Sequence, residues 1–464
     1  MSTTSQTETT HSTSSVTKEH DSKVARQRAD RPTYAWGRSF KDWFRHAWLN
    51  EYSDEQVEKN LLSALPFYPE SDGKRRALII NTDIGDGKFI HEFFIENIEP
   101  EDPNNKKLAK SIETRDVVLV HGYAASLGLF VENFDALSSI PGIRIHAIDL
   151  LGFGFSARPT YPSFSSETKQ DIYENENWFI DSIEEWRKQR GINKFVLMGH
   201  SFGGYLSCAY ALKYKKQNFV EKLVLISPVG LTRSRYSISK SDLAPAITKQ
   251  EKNRQEQLDI VKVELDDQEK IVNGESDVTA KLSEKDLEIE AHLNELLSKK
   301  RGRLLNYMWA NNLSIFSLVR NMGPARSKMI SGWTTNRFAS IHRKDPQQFQ
   351  YFHDYMYRTF NGKGSGEYAL TRILAFGALP RFPLLDRCPQ VFSQMNLPTL
   401  WMFGDDDWMD EKSGLEMANE INKLANKKDL AEYAITPRAG HHLYLDNPTS
   451  FTSDIFNFLG LSKP

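Results

Sequence analysis

Hydrophobic and polar positions change rhythm several times along this chain. Residues 1–30 are Ser/Thr-rich and nearly free of large apolar side chains. Such a segment cannot offset the entropy of ordering, and it is expected to be disordered. Next, Trp36, Phe40, Trp43, Phe44 and Trp48 recur at helical spacing, with Arg38, Lys41 and Arg45 elsewhere on the surface. The spacing predicts an amphipathic helix that either lies in a lipid interface or packs on its own domain. From about residue 75, short β-rich runs alternate with helical patterns. Residues 76–80 and 89–95 read as an opening hairpin, and 116–120, 143–148, 194–198 and 223–226 as apolar strands. Residues 171–190 form an amphipathic helix whose apolar set is Ile172, Trp178, Phe179, Ile183 and Trp186, and 209–214 belong to a second helix. Apolar runs alternating with helices predict a parallel sheet covered on both faces.

That rhythm then stops for about 150 residues. Residues 240–303 are dominated by Lys, Glu, Asp and Gln and read as solvated helices or disorder, whereas 304–385 are richer in Trp, Phe, Met and Tyr. Strands resume at 399–403 and 433–435. A final helix spans 448–459, with Asn447 as its N-cap and Pro448 at its first position. The expected architecture is therefore α/β: a mostly parallel sheet with helices on both faces and a large helical cap inserted after the sixth strand. In segments, this gives a tail (1–34), an aromatic and basic stretch (35–70), the first part of the core (71–230), the cap (231–390, carrying the insert 240–303) and the second part of the core (391–464).

Composition narrows the function classes. The 464 residues carry 59 basic and 61 acidic side chains, a formal net charge of -2. No global field favours nucleic acid, so any membrane contact must come from a local patch. Cys208 and Cys388 are the only cysteines, too few for a disulfide framework, which favours a reducing compartment. No run of 18 apolar residues exists, so no transmembrane helix is expected. The N-terminus lacks an apolar signal-peptide core, and Glu8, Glu19 and Asp21 make it a weak mitochondrial presequence.

Gly199-His200-Ser201-Phe202-Gly203 is a G-x-S-x-G motif placed after a strand and before a helix. Its mechanics need a sharp turn, close backbone packing at the glycines and a serine hydroxyl standing above the sheet, the elbow of an α/β-hydrolase fold. A nucleophilic serine needs a base, and the base an orienting acid, in the order Ser, Asp or Glu, His. Asp407, just past the strand ending at Phe403, is the expected acid, with Asp406 the second candidate; Asp405 and Asp410 read as solvated loop carboxylates. His441, directly after Gly440, is the expected base, with His442 second. The amides of Tyr123 and Phe202 are the expected oxyanion donors, and His121 reads as structural. The glycines of the 149–156 turn serve loop geometry, with no phosphate-binding role. His441 and Asp446 also form H-x-x-x-x-D, a pattern associated with glycerolipid acyltransfer. Five helical residues turn the chain by about 140°, off the starting face, and Asp446 precedes the cap of the last helix, so a structural role is expected for it.

Several segments together resemble one subfamily, the cardiolipin-specific deacylases and lysophosphatidic acid acyltransferases of fungi, with animal relatives among the abhydrolase proteins. The matching pieces include 62–69, His121-Gly-Tyr-Ala, 149–156, Gly199 to Tyr205, Gly364-Ser-Gly-Glu367, 380–387, Gly404 to Asp410 and Gly440 to Pro448. The resemblance implies a phospholipid ester substrate, a peripheral site of action at a membrane surface, and neither metal nor cofactor. It implies attack by Ser201, proton transfer by His441 and orientation by Asp407. Release of the acyl group to water makes a deacylase, with cardiolipin as leading substrate and the mitochondrial inner membrane as location. Release to a lysophospholipid hydroxyl, with acyl-CoA as co-substrate, makes an acyltransferase, for which cytoplasm or lipid droplet is the alternative location. A non-enzymatic lipid-surface scaffold is the third reading.

Overall fold

The computed structural model describes residues 35–97, 114–162, 164–234, 236–238 and 298–461. The N-terminal tail 1–34 and the part of the charged insert from 240 to 297 lie outside them. The described chain divides into two compact units, one of 35–72 with 315–363, the other of 73–314 with 364–461. These cuts differ from the sequence segments: 315–363 falls in the stretch read as cap, yet it groups with the N-terminal helices.

The larger unit is built on an eight-stranded sheet in the order β1-β2-β4-β3-β5-β6-β9-β10. β1 (Arg75–Gly85) and β2 (Lys88–Asn97) form the antiparallel hairpin. Asp86 and Gly87 at its tip both take positive φ, 54° and 67°, the twist that a two-residue turn requires. β2 pairs antiparallel with β4 (Ile143–Ile148). Every further neighbour is parallel: β3 (Arg115–Val120), β5 (Phe195–His200), β6 (Val220–Ile226), β9 (Thr399–Gly404) and β10 (Ala431–Thr436). β5 and β9 are buried at every position, which is why their sequences are unbroken apolar runs rather than alternating ones. The strands extend a residue or more beyond several of those runs, because pairing continues into polar termini such as Glu432 and Thr436.

The helix Lys169–Gln189 opens on a capping box, Thr168 with Asp171, and buries Ile172, Phe179, Ile183 and Trp186 against the sheet; Trp178 is half-buried at its margin. The last helix, Pro448–Leu459, is capped by Asn447, which accepts the Ser450 amide at 3.2 Å. After β6 the described chain returns at 298 with the helix Lys300–Ala310, and further on a small hairpin of β7 (Leu374–Ala375) and β8 (Leu379–Pro380) follows.

The smaller unit packs the helices Trp36–Ala47 and Asp54–Leu62 with four from 315–361. Its first helix is turned opposite to a soluble amphipathic helix. The face it buries is polar: Ser39 donates to the Pro324 carbonyl at 2.9 Å, and the Asp42 carboxylate takes Ser327 Oγ at 3.1 Å and His353 Nε2 at 3.2 Å. Trp36, Phe40, Phe44 and Trp48 are 66, 54, 41 and 71% exposed, while Trp43 is half-buried.

Candidate active site

β5, β6, β9 and β10 lie side by side in parallel, so their C-terminal ends share one edge of the sheet. Open α/β sheets place their sites at that edge. Ser201 follows β5, Ser227 follows β6, Asp407 follows β9 and His441 follows β10.

The turn at Ser201 is sharp, with φ 53° and ψ -114°, before the helix Phe202–Lys213 begins. The flanking glycines are required by space. A Cβ on Gly199 would lie 2.4 Å from the Gly203 carbonyl oxygen and from Ser207 Oγ, and one on Gly203 would lie 2.4 Å from the His121 carbonyl oxygen. No side chain fits at those distances, so the G-x-S-x-G spacing follows from the packing of the turn itself.

Ser201 Oγ is 3.0 Å from His441 Nε2. On the far side of the ring, His441 Nδ1 is 3.2 Å from Asp407 Oδ1. The Asp407 side chain is 1% exposed and that of His441 11%. Burial pushes the Asp407 carboxyl up, but the hydrogen bond and charge of His441, the Ser227 hydroxyl and the Met409 amide together hold it below the usual carboxylate range. The arrangement can move a proton from Ser201 Oγ to Nε2 while a buried carboxylate stabilises the imidazolium.

His200 of the elbow turns away from the nucleophile: its Nε2 lies 2.9 Å from the His441 carbonyl oxygen. The second-candidate residues fall elsewhere. His442 lies tilted against His200, with ring centroids 5.0 Å apart, and the Asp406 amide donates to the Ala439 carbonyl at 2.9 Å. Gly122 packs so closely on the elbow that a Cβ would meet Ser201 Cβ at 3.0 Å, which sets Tyr123 beside the nucleophile. Phe202 opens its helix, where backbone N–H groups have no partner within the helix.

His121 is fully buried, with Nδ1 2.7 Å from the Gly122 carbonyl oxygen and Nε2 accepting the Leu150 amide at 3.0 Å; burial lowers its pKa and keeps it neutral. In the 149–156 turn, Asp149 accepts the amides of Leu127 and Phe155, both at 2.8 Å, and Gly152 and Gly154 take positive φ. Asp446 accepts the Gly440 amide at 3.0 Å, so it braces the loop that carries His441.

Of the two carboxylates expected to be solvated, Asp405 is exposed and Asp410 half-buried, and both also brace the structure. Asp405 accepts the Arg438 and Ala439 amides, each at 2.8 Å, tying the acid loop to the histidine loop. Asp410 caps the helix Glu411–Ala425 and accepts the Thr232 and Ser413 hydroxyls at 2.6 Å. Two neighbours went unread: Ser227, which touches both Asp407 and His441, and Trp408, whose ring centroid is 5.0 Å from that of His441. The only available signal was position, directly after a strand and beside the acid.

A cavity of about 740 Å³ opens at this edge, lined by the apolar or aromatic Tyr123, Val229, Leu231, Trp309, Leu370, Phe376, Leu379, Trp408 and Met409 and by the polar Thr232, Asp405, Asp407, Asp410, Glu411 and Lys412. That size and the apolar part of the lining suit an extended hydrocarbon chain, with charged side chains left for a polar end. Among the described residues, no group of three His, Cys, Asp or Glu side chains is placed to hold a metal ion.

Segments matched in the resemblance turn out to fasten this frame. Gly366 of Ser-Gly-Glu abuts Gly152, where a Cβ would meet the Gly366 amide nitrogen at 2.4 Å. Arg387 grips Glu176 with two hydrogen bonds, 2.6 and 2.8 Å, both side chains buried.

Comparison with known proteins agrees with this geometry. Residues 117–448 match the family model described as alpha/beta hydrolase fold. The chain is 30% identical over 434 residues to a probable 1-acylglycerol-3-phosphate O-acyltransferase of Oryza sativa subsp. japonica, covering 91% of this chain and 84% of that protein. It is 32% identical to a 1-acylglycerol-3-phosphate O-acyltransferase of Arabidopsis thaliana, over 73% of this chain and 65% of that one. To a human (lyso)-N-acylphosphatidylethanolamine lipase it is 25% identical, over 76% and 82%. With its elbow, its sheet order and a family match across most of its length, the chain belongs to the α/β-hydrolase fold family.

Proposed function

We propose that the protein is a serine-dependent phospholipid acyl hydrolase working at a membrane surface, with cardiolipin, cleaved to monolysocardiolipin, as its leading substrate. The observation that carries this reading is Ser201 Oγ within hydrogen-bond reach of His441 Nε2, in a constellation whose acid, Asp407, lines a cavity together with Tyr123 and several apolar side chains. Ser201 attacks the acyl carbonyl as its proton passes to His441. The amides of Tyr123 and Phe202 stabilise the oxyanion, and His441 returns the proton to the departing lysolipid oxygen. Water then takes the acyl group from Ser201. Cardiolipin rests on the fungal resemblance, and a peripheral place on the mitochondrial inner membrane follows from that substrate.

The exposed aromatic face of the helix Trp36–Ala47 supports action at an interface. Four large aromatic side chains point outward while the polar side is buried, the orientation of a helix whose outer surroundings are lipid. Among the described residues no helix is long and apolar enough to cross a membrane.

A second reading has a specific basis. The rice and Arabidopsis relatives carry acyltransferase names, and the same acyl-serine intercepted by a lysophosphatidic acid hydroxyl, with acyl-CoA as donor, would form phosphatidic acid. The test incubates wild-type and Ser201→Ala protein with mixed phospholipid vesicles and reads the lipids by mass spectrometry. Monolysocardiolipin and fatty acid from wild type alone support the deacylase. New phosphatidic acid only when lysophosphatidic acid and acyl-CoA are added overturns it in favour of transfer.

A further inference from the structure

The direct bond between His441 and Asp407 is the longest link of the constellation. Asp407 Oδ1 stands 3.2 Å from His441 Nδ1 and also accepts the Met409 amide at 3.0 Å. A hydroxyl is nearer to both partners: Ser227 Oγ lies 2.7 Å from His441 Nδ1 and 2.5 Å from Asp407 Oδ2. We propose that Ser227 is a positioning residue that bridges acid and base, donating its proton to Asp407 and accepting the Nδ1 proton of His441. This rests on the reading of Ser201 as nucleophile and His441 as base.

Proton counting supports the direction of both bonds. An ionised carboxylate only accepts, so two oxygens 2.5 Å apart must share the Ser227 proton. The Ser227 oxygen then presents a lone pair to the imidazole, and the ring proton must sit on Nδ1. Nε2 is left unprotonated, 3.0 Å from Ser201 Oγ, which is the tautomer that can take the nucleophile's proton. The hydroxyl therefore fixes the tautomer and the plane of the ring, a task the longer contact to Asp407 performs less well alone.

The backbone at Ser227 argues for the side chain. Its φ is 45°, in the left-handed region, its amide donates to the Met402 carbonyl at 2.7 Å, and the residue is fully buried. Glycine would adopt this conformation without strain, so what serine adds here is the hydroxyl.

The test uses Ser227→Gly, which removes the hydroxyl and keeps the backbone at ease, with Ser227→Ala beside it. Hydrolysis of a soluble p-nitrophenyl ester should show kcat lower by about 10- to 100-fold in both, a partial loss of the roughly 10²–10⁴-fold that a positioned general base contributes, with KM and melting temperature little changed. The acid limb of the pH profile of kcat/KM should move, because the imidazolium has lost its nearest acceptor. Proton NMR reads the bridge without turnover: a low-field resonance absent from His441→Gln should move upfield in Ser227→Gly. If Ser201→Ala hydrolyses the ester like wild type, the nucleophile reading fails, and the resonance still decides the bridge. If Ser227→Gly keeps wild-type kcat, pH profile and resonance while Ser201→Ala is inactive, the bridge is refuted and the nucleophile stands.

Discussion

Gly404 offers a sharp test of how the acid and base loops hold each other. It closes β9 three residues before Asp407, and a Cβ placed on it would lie 2.1 Å from the Ala439 carbonyl oxygen and 2.6 Å from that of Gly440. These are backbone atoms of the loop that carries His441, not flexible side-chain ends. Real Cβ contacts essentially never fall under 3.0 Å, so in Gly404→Ala the two loops must part by about 0.9 Å. The Asp405 bonds to the Arg438 and Ala439 amides, both 2.8 Å, would stretch with them, and His441 Nε2 would leave its 3.0 Å contact with Ser201 Oγ. Misplacing reacting groups by about 1 Å costs roughly 100-fold in rate, and overpacking of this kind costs about 1–3 kcal/mol of stability. The assay is the rate of Ser201 labelling by a fluorophosphonate, which reads nucleophile and base without reference to any lipid. Gly332→Ala is the control: a Cβ there meets nothing within 4 Å, so labelling should not change. A folded Gly404→Ala protein that labels at the wild-type rate would refute the argument.

Other outcomes follow from the same structure. Arg387→Met should cost about 3–5 kcal/mol in urea unfolding because it strands buried Glu176, whereas Glu176→Leu with Arg387→Met should cost far less; equal losses would contradict this. Asp446→Asn keeps an oxygen for the Gly440 amide and should retain near-wild-type hydrolysis, while Asp446→Ala should slow hydrolysis and any acyl transfer equally. Loss of transfer alone would give Asp446 a chemical role. The Asp407 carboxyl is held below its usual range, so its stabilisation is complete above the ordinary pKa of about 3.9 and is lost as pH falls through the lowered value. Melting curves of wild type and Asp407→Asn should therefore differ at neutral pH, begin to approach each other only below about pH 4, and converge once the pH has fallen below the lowered value. Replacing Trp36, Phe40 and Trp48 with Ala should abolish vesicle flotation yet leave soluble-ester hydrolysis intact; unchanged flotation would remove the interfacial role of that helix.

The central strands were legible in the sequence because parallel strands buried on both faces cannot alternate. β5 and β9 read as unbroken apolar runs for that reason. Ser201 and Asp407 were legible because each comes shortly after such a strand, and His441 because it follows the last strand, β10, in the order that the chemistry uses. Ser227 was not, because a serine before a proline at a strand end looks like a stop signal, and its meaning depends on two residues about 180 and 214 positions away. Asp405 is exposed as a solvated carboxylate should be, but its bracing role was hidden since its partners are backbone amides, which carry no sequence signature. The aromatic periodicity located the helix Trp36–Ala47, but periodicity cannot say which face is buried. That was decided by Pro324, Ser327 and His353, between 285 and 311 residues away.

The central claim is that Ser201 carries the acyl group under the control of His441. Acid-quenched mass spectrometry of the protein mixed with a short-chain ester tests it most directly. The account predicts an acyl adduct on the peptide containing Ser201, absent from Ser201→Ala and slow to form in His441→Gln. An adduct on another residue, or ester turnover at the wild-type rate in Ser201→Ala, would contradict it.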